Sequence, residues 1–262
     1  MMHRLIPRIS LLIFLSFLIS KANATEDLNK PSTPPLPDRI IGDVGLAIYS
    51  NTLNIGQSST QSVLLPYGFF DYKRFAMRID QLAFKTLPIG YGYLELVGKI
   101  DPDSYKIKST VNGQTISKGY QVPIGLGSFQ ETPIGVISLN AYRDIGPSHG
   151  YLYDLTYYGE LDLSKKLVLY PQLGLERQSQ SYTNYYFGIN REQAQQTGYT
   201  PFEASASNNP FAGVLLEYAV ADNWYLNMYG KRKWLGSGSN HSPVLTRSYQ
   251  DTIFMSLIYR YK

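Results

Sequence analysis

The strongest constraint on the fold is a period-two alternation at the C-terminal end of the chain. Apolar and aromatic residues occupy every second position from Ile253 to Tyr261. Most positions between them are polar, as at Arg260, although Phe254 and Ile258 are exceptions. A period of two predicts a β-strand with two unlike faces. The pattern is typical of outer-membrane β-barrels, but a soluble edge strand would show it too, so the rest of the chain must decide.

The N-terminus has the features of an export signal. Arg4 and Arg8 precede an apolar run over residues 9–19, and residues 22–24 (Ala-Asn-Ala) form a small-x-small cleavage site. We therefore expect residues 1–24 to be a signal peptide. No later stretch approaches the roughly 18 apolar residues of a transmembrane helix. The exported chain is then a secreted or periplasmic domain, or an outer-membrane barrel.

Composition narrows the classes of partner. Removal of residues 1–24 takes away three basic and no acidic residues, so the formal net charge falls from +4 to +1. We therefore expect no nucleic-acid partner. The chain has no cysteine, hence no disulfide. It has 23 tyrosines among 262 residues, and tyrosine favours a membrane–water boundary, so we expect contact with outer-membrane lipid.

Alternating segments recur through residues 39–262, which we expect to form the barrel. Residues 25–38 are rich in proline and predict an extended, unpacked periplasmic tail. One face of the alternating segments carries charges, and these are expected to line the lumen: Arg74, Arg78, Lys85, Glu95, Lys99, Asp154, Glu160, Asp162, Glu176, Glu217, Lys231 and Lys233. The opposite face carries aromatic residues expected at the membrane interfaces: Tyr151, Trp224, Trp234, Tyr259 and Tyr261.

The pattern predicts an all-β fold, a transmembrane antiparallel barrel of about 12 strands, with ten as the alternative. The predicted strands cover residues 41–49, 62–70, 72–79, 82–88, 91–101, 119–128, 133–145, 150–163, 166–182, 208–221, 223–235 and 250–261. Every even-numbered connection is short, and every long one is odd-numbered. Short periplasmic turns with longer outer loops are the plan of an outer-membrane barrel. A secreted β-sandwich has no reason to sort its connections in this way.

Two local features refine this plan. Trp224 and Trp234 lie ten residues apart on one face of a predicted strand. At about 3.3 Å per residue and a tilt of about 40°, this spacing corresponds to about 25 Å, the height of the apolar band of a barrel. Within a long outer loop, Asn190 and Gly198 are suited to be the N-cap and C-cap of a polar helix. We expect this helix to be a surface cap.

The sequence contains no catalytic constellation. His241 and Ser242 are adjacent, but adjacent side chains rarely point at one another and no acid flanks the pair. No metal-ligand spacing is present, and we expect no enzyme activity, metal or cofactor. The lumen charges have two interpretations, which the sequence leaves equally open. They line a narrow pore, in which Asp154, Glu160 and Asp162 would favour cations, or they pair and plug the lumen.

Most of the mature chain resembles a known family, and the most specific part of the resemblance is the region after residue 183. The motif residues are Tyr185, Tyr186, Gly188, Ala194, Tyr199, Ser242 and Pro243. Together with the aromatic last strand, they are similar to the MltA-interacting protein/OmpV family of outer-membrane proteins. The resemblance implies a non-enzymatic barrel. It further implies a scaffold that joins a lytic transglycosylase to a penicillin-binding murein synthase, or alternatively a porin-like channel for small solutes or ions.

Overall fold

The computed structural model describes residues 32–55, 61–99, 105–109, 115–119 and 121–262. The expected signal peptide and the start of the proline-rich tail lie outside this part of the chain. The described strands are β1 (Ile41–Thr52), β2 (Gln61–Tyr72), β3 (Phe75–Arg78), β4 (Gln81–Ile89), β5 (Gly92–Lys99), β6 (Tyr105–Lys108), β7 (Thr115–Lys118), β8 (Pro123–Thr132), β9 (Gly135–Asp144), β10 (Tyr151–Tyr158), β11 (Leu161–Ser164), β12 (Leu167–Gln178), β13 (Ser207–Ala221), β14 (Trp224–Trp234) and β15 (Tyr249–Tyr261). The described helices are α1 (Gln180–Phe187) and α2 (Arg191–Thr197).

The large sheet closes on itself as an antiparallel barrel. Its order runs from β10 through β9, β8, β5, β4, β3, β2, β1, β15, β14 and β13 to β12, and β12 pairs with β10. β11 continues β10 against β12 in an unchanged register, since Tyr158 faces Gln172 and Leu161 faces Leu169. β10 and β11 are therefore one interrupted strand, and the barrel has twelve. The first and last strands, β1 and β15, pair along eleven residues and close it.

The sheet confirms the predicted twelve-stranded barrel but corrects several boundaries. The strand expected at 166–182 ends at Gln178, because Ser179 caps α1 by accepting a hydrogen bond from the Tyr182 amide. The strand expected at 119–128 runs from 123 to 132. The loop expected at 102–118 contains the separate β6–β7 hairpin. α2 spans Arg191–Thr197 with the predicted caps, Asn190 and Gly198.

Strand β15 illustrates how the barrel sorts its side chains. Met255 is 48% exposed on the outer face, whereas the next residue, Ser256, is 1% exposed in the lumen. The residues that broke the alternation, Phe254 and Ile258, are also buried on the lumen side. They interrupt the polar face because part of the lumen is packed with apolar side chains.

The two ends of the barrel differ in their connections. One end, called here the turn end, holds both barrel termini and the connections at 73–74, 90–91, 133–134, 165–166 and 222–223. The other, called the loop end, is where β1, β5, β12 and β14 end and the long connections begin, and it also holds two short connections at 79–80 and 145–150. In outer-membrane barrels the end with short turns is periplasmic and the end with long loops is extracellular. Neither described helix is long and apolar enough to cross a membrane.

An aromatic cluster fills one side of the lumen. It consists of Ala47, Tyr67, Phe254 and Ile258, packed against Tyr49, Leu215, Tyr225 and Tyr229. The ring of Phe254 stacks on that of Tyr229 with centroids 4.7 Å apart, and it lies 6.0 Å from that of Tyr67. We call this group the lumen aromatic cluster. It runs along the inner face of five neighbouring strands, β2, β1, β15, β14 and β13.

We expect Phe254→Ala to lower the free energy of unfolding by about 3 kcal/mol, because it leaves a cavity in this cluster. The measurement is a urea titration of the barrel in lipid vesicles, followed by tryptophan fluorescence. Met255→Ala is the matched control: it truncates the neighbouring side chain on the outer face, where lipid fills the space. Equal losses for the two variants would contradict the packed interior.

Candidate functional site

The lumen carries charged residues that form pairs. At the turn end, Arg260 lies between two acids: its Nε is 2.7 Å from Asp43 Oδ1, and its Nη2 is 2.6 Å from Glu217 Oε2. Its guanidinium also lies 4.1 Å from the Tyr225 ring centroid. The register of β1 with β15 places Asp43 directly opposite Arg260. We call Asp43, Glu217 and Arg260 the Arg260 cluster.

A second cluster lies on strands β2 to β5. Asp71 Oδ1 forms an ion pair with Arg78 Nη2 at 2.7 Å, and Asp71 Oδ2 accepts a hydrogen bond from Lys85 Nζ at 2.7 Å. Glu95 stands opposite Lys85 in the register of β4 and β5 and is 2% exposed. The guanidinium of Arg78 also lies 4.6 Å from the Phe129 ring centroid. These four charged residues, Asp71, Arg78, Lys85 and Glu95, are the Asp71 cluster.

A third cluster lies nearer the loop end. Its ion pairs are Lys99 with Asp80 and Lys233 with Glu176, each at 3.3 Å. Asp154 accepts hydrogen bonds from Thr156 Oγ1 at 3.1 Å and from Asn140 Nδ2 at 3.5 Å, and it interacts electrostatically with Lys99. Lys231 lies 5.4 Å from the Phe211 ring centroid. We call the charged residues Asp80, Lys99, Asp154, Glu176, Lys231 and Lys233 the Lys99 cluster.

Three charges expected in the lumen lie outside these clusters. Arg74 is exposed in the β2–β3 turn, and its Nη1 donates to the carbonyl oxygens of Lys85 and Thr86. Glu160 and Asp162 are exposed near the turn end of the interrupted β10–β11 strand. The acidic ladder expected from the sequence is therefore split between a half-buried Asp154 and two solvent-exposed acids.

The interface aromatics lie on the outer face in two groups. Trp224 packs edge-on against Tyr259, and Tyr259 against Tyr261, at the turn end. Trp234 and Tyr151 lie near the loop end, at the last position of β14 and the first of β10. Both tryptophans are exposed to the surroundings of the barrel. Aromatic side chains at both ends of an apolar band are typical of membrane-spanning barrels.

Long loops pack over the loop end as a layer, called here the loop cap: residues 53–55, 179–206 and 235–248 with the β6–β7 hairpin. Two isolated bridges, Ile55 with Leu245 and Ile189 with Phe202, tie its segments together. Its apolar core is continuous with inward side chains of β3, β4, β5, β9 and β10. These inward residues are Ala76, Ala83, Val97, Tyr142 and Leu152.

The family-motif residues meet within the loop cap. Ser242 Oγ donates to the Phe187 carbonyl oxygen at 2.6 Å, which joins two motif segments 55 residues apart. Tyr186 is buried in the apolar core of the cap, and Tyr185, Ala194 and Tyr199 pack against this core. Gly188 ends α1, where a Cβ would lie 2.1 Å from Asn184 Oδ1, so only glycine fits without rearrangement. Pro243 is half-buried beside this contact.

Tyr185 connects the cap to the β6–β7 hairpin. Its hydroxyl accepts from the Gly119 amide at 2.8 Å, and Lys118 Nζ lies 5.4 Å from its ring centroid. Burial lowers the pKa of the Lys118 ammonium. The motif tyrosine therefore holds the hairpin against α1.

The Ser242–His241 pair is not arranged as a nucleophile and base. Ser242 is buried with its hydroxyl donated to a backbone carbonyl, whereas His241 is exposed. A competent nucleophile would need its base within hydrogen-bond reach. Within the described ranges, no group of three or more His, Asp or Glu side chains could hold a metal ion.

The described part of the proline-rich tail packs on the turn end. The Lys73 amide donates to the Pro37 carbonyl at 2.7 Å, and Thr33 Oγ1 donates to the Gly90 carbonyl at 3.1 Å. The hydroxyl of Tyr93, a lumen-facing residue, donates to the Pro34 carbonyl at 2.7 Å. The expectation of an unpacked tail is therefore wrong for these residues. An extended proline-rich backbone leaves its carbonyl oxygens free to accept such bonds.

Comparison with known proteins identifies the family. A profile described as MltA-interacting protein MipA matches residues 44–261. The chain belongs to the MipA family. Omp26La, an outer membrane protein of Vibrio anguillarum, is 26% identical over 240 residues, which cover 84% of this chain and 86% of Omp26La. OmpV, an outer membrane protein of Vibrio cholerae, is 28% identical over 150 residues, 56% of this chain and 54% of OmpV.

Solved structures add little to this assignment. The in-vitro folded OmpT of Vibrio cholerae, an outer membrane protein, covers 85% of this chain and 97% of its own, with 8% identity and a TM-score of 0.35. That likeness is too weak to bear on fold or function. The closed barrel and the outer-membrane relatives nevertheless agree with the location expected from the sequence: this MipA-family protein is an outer-membrane barrel.

We expect Arg260→Ala to lower the free energy of unfolding by about 3–5 kcal/mol, because it leaves the carboxylates of Asp43 and Glu217 buried without their partner. Arg232→Ala is the control: it breaks the exposed pair with Asp251 on the outer face and should lower this free energy by less than about 1 kcal/mol. Urea unfolding in lipid vesicles measures both. A small effect of Arg260→Ala would show that the cluster is not a structural tie.

Proposed function

We propose that this protein is a non-enzymatic scaffold, a barrel with a closed lumen that holds a lytic transglycosylase and a penicillin-binding murein synthase at the periplasmic face of the outer membrane. The description of its family as MltA-interacting supports the first partner. The relatives reported above are named as outer membrane proteins, which supports a role at this membrane. The murein synthase is proposed from the family resemblance.

The observation that carries this proposal is the filling of the lumen. The lumen aromatic cluster occupies one side of the lumen along the neighbouring strands β2, β1, β15, β14 and β13. Three clusters of mixed sign pair most inward charges with one another. An ion-selective pore instead needs charged side chains that face a water-filled path. Paired charges offer a passing ion no net attraction, so they favour the closed barrel over the porin-like alternative.

If the lumen is closed, the protein must act through its exposed surfaces. On the periplasmic side these surfaces are the turns of the turn end and the tail packed across them. Exposed basic residues are frequent in the turns, as at Lys73, Arg74, Lys165 and Lys166. The tail adds Asp38 and Arg39, which are also exposed. Charged groups of this kind steer association and fix the orientation of a bound partner more than they raise its affinity.

Two turn-end variants test the scaffold. One deletes residues 32–37, and the other carries Lys165→Glu with Lys166→Glu. We expect each to weaken capture of a purified, soluble lytic transglycosylase by at least about tenfold in Kd, a loss of about 1.4 kcal/mol. Binding is measured by surface plasmon resonance with the full barrel held in nanodiscs.

Arg191→Glu is the matched control, because Arg191 is exposed on α2 at the loop end. It should leave the Kd unchanged, and the charge variants at residues 165, 166 and 191 should retain the urea midpoint of the native barrel. The deletion variant loses the hydrogen bonds of the tail, so its folding is checked by the β-sheet circular-dichroism spectrum of the barrel. Unchanged binding in both turn-end variants would rule out the scaffold interface. Loss of binding in the Arg191 variant would mean that the transglycosylase contacts the loop end, which contradicts a periplasmic scaffold.

A further inference from the structure

The outer face of the barrel strands is almost free of charge, and its exceptions lie at one end. By the alternation of each described barrel strand, four charged side chains point outward: Arg143 on β9, Arg177 on β12, Arg232 on β14 and Asp251 on β15. All four lie within three residues of the loop end of their strands. At the turn end the same face carries uncharged aromatic residues such as Trp224 and Tyr261.

Two of these charges neutralise each other, and two do not. Arg232 forms two hydrogen bonds with Asp251, Nε to Oδ1 at 2.7 Å and Nη2 to Oδ2 at 2.8 Å. Neither Arg143 nor Arg177 has an acidic partner among the described residues. Arg143 lies 6.0 Å from the Tyr151 ring centroid, and Arg177 donates to Asn208 Oδ1 at 3.2 Å. Each guanidinium has five N–H donors, so among the described residues most donors of this pair have no acceptor.

The register brings the two arginines to the same patch. Arg143 stands opposite Tyr151 and Arg177 opposite Tyr153, so both flank β10 from its two sides. Two strand spacings and a two-residue offset separate their Cα atoms by roughly 12 Å. Tyr151 and Tyr153 are both exposed between them. We call Arg143, Tyr151, Tyr153 and Arg177 the outer arginine patch.

An apolar row lies directly below this patch on the same face. Leu139, Leu155 and Leu175 stand opposite one another across β9, β10 and β12, and all three are exposed. The row is two residues from Tyr153 and Arg177, on the side toward the middle of the membrane. The surface is thus amphipathic: a flat aliphatic wall below, with tyrosines and unneutralised arginines above it.

We propose that the outer arginine patch binds the phosphate groups of a phosphorylated glycolipid in the outer leaflet, a lipid of the lipopolysaccharide class. Its acyl chains then lie along the leucine row. The planar guanidinium donates paired hydrogen bonds to phosphate oxygens, and the poorly hydrated interface strengthens this attraction. In the barrel plan the loop end faces the extracellular leaflet, and the turn end, where the outward-facing strand positions carry no charge, faces the phospholipid leaflet. The charge asymmetry of the protein therefore matches that of the membrane.

The test compares lipids that differ only in phosphate. The full barrel in detergent is titrated with bisphosphorylated lipid A, with dephosphorylated lipid A and with phosphatidylglycerol, and bound lipid is counted by native mass spectrometry. We expect bisphosphorylated lipid A to bind at least tenfold more tightly than either of the others. Arg143→Gln with Arg177→Gln should weaken it by about a hundredfold, since each arginine supplies charge-assisted hydrogen bonds.

Arg232→Gln is the matched control, because this arginine faces outward at the same end but is neutralised by Asp251. The Arg232→Gln variant should bind bisphosphorylated lipid A as tightly as the native barrel does. Arg143→Lys with Arg177→Lys should restore part of the affinity by restoring the charge. The proposal is overturned if the glutamine variant, with its barrel folded, keeps native affinity. It is equally overturned if lipid A binds as well without its phosphates, or if phosphatidylglycerol binds as tightly.

Discussion

Every barrel strand of this protein has one face toward lipid and the other toward the lumen. Closure between β1 and β15 gives the edge strands hydrogen-bond partners, as a membrane demands, and it forces alternate side chains outward to lipid and inward to the lumen. The inward-facing side chains must then be stabilised by one another, because they contact no lipid and little water. Ion pairs and packed aromatic rings line the lumen, and we infer that the interior of this barrel acts as a core.

Because the outer face contacts lipid and the inner face packs on itself, the surfaces open to other molecules lie mainly at the two ends of the barrel. At the loop end, the cap joins segments far apart in sequence through contacts such as Ser242 with Phe187. At the turn end, residues 32–37 bond to the turns and to Tyr93 of the lumen wall. The family motif therefore describes how the cap is assembled. We propose that contact with partners is left to the turn end and contact with lipid headgroups to the outer rim.

The sequence predicted the strands and the caps of α2, which depend on neighbouring residues. It missed the side-chain pairs that depend on which strands lie next to each other. Alternation gave the twelve strands, and Asn190 with Gly198 marked α2, because caps act within one turn. α1 was missed because residues 180–182 were assigned to the preceding strand and residues 183–187 to the long loop. Charge pairing was beyond prediction as well. Arg260 meets Asp43 from the other end of the chain and Glu217 from two strands away, which only the closed barrel brings together.

The central claim is that the lumen is a packed interior, and single-channel recording tests it most directly. The native barrel is refolded, its insertion into a planar bilayer is verified, and current is recorded in concentrated potassium chloride with a known porin as positive control. The closed barrel predicts a flat baseline, without steady steps, at moderate voltages of either sign. Stable, ion-selective conductance steps from the folded native protein would contradict it and favour the channel.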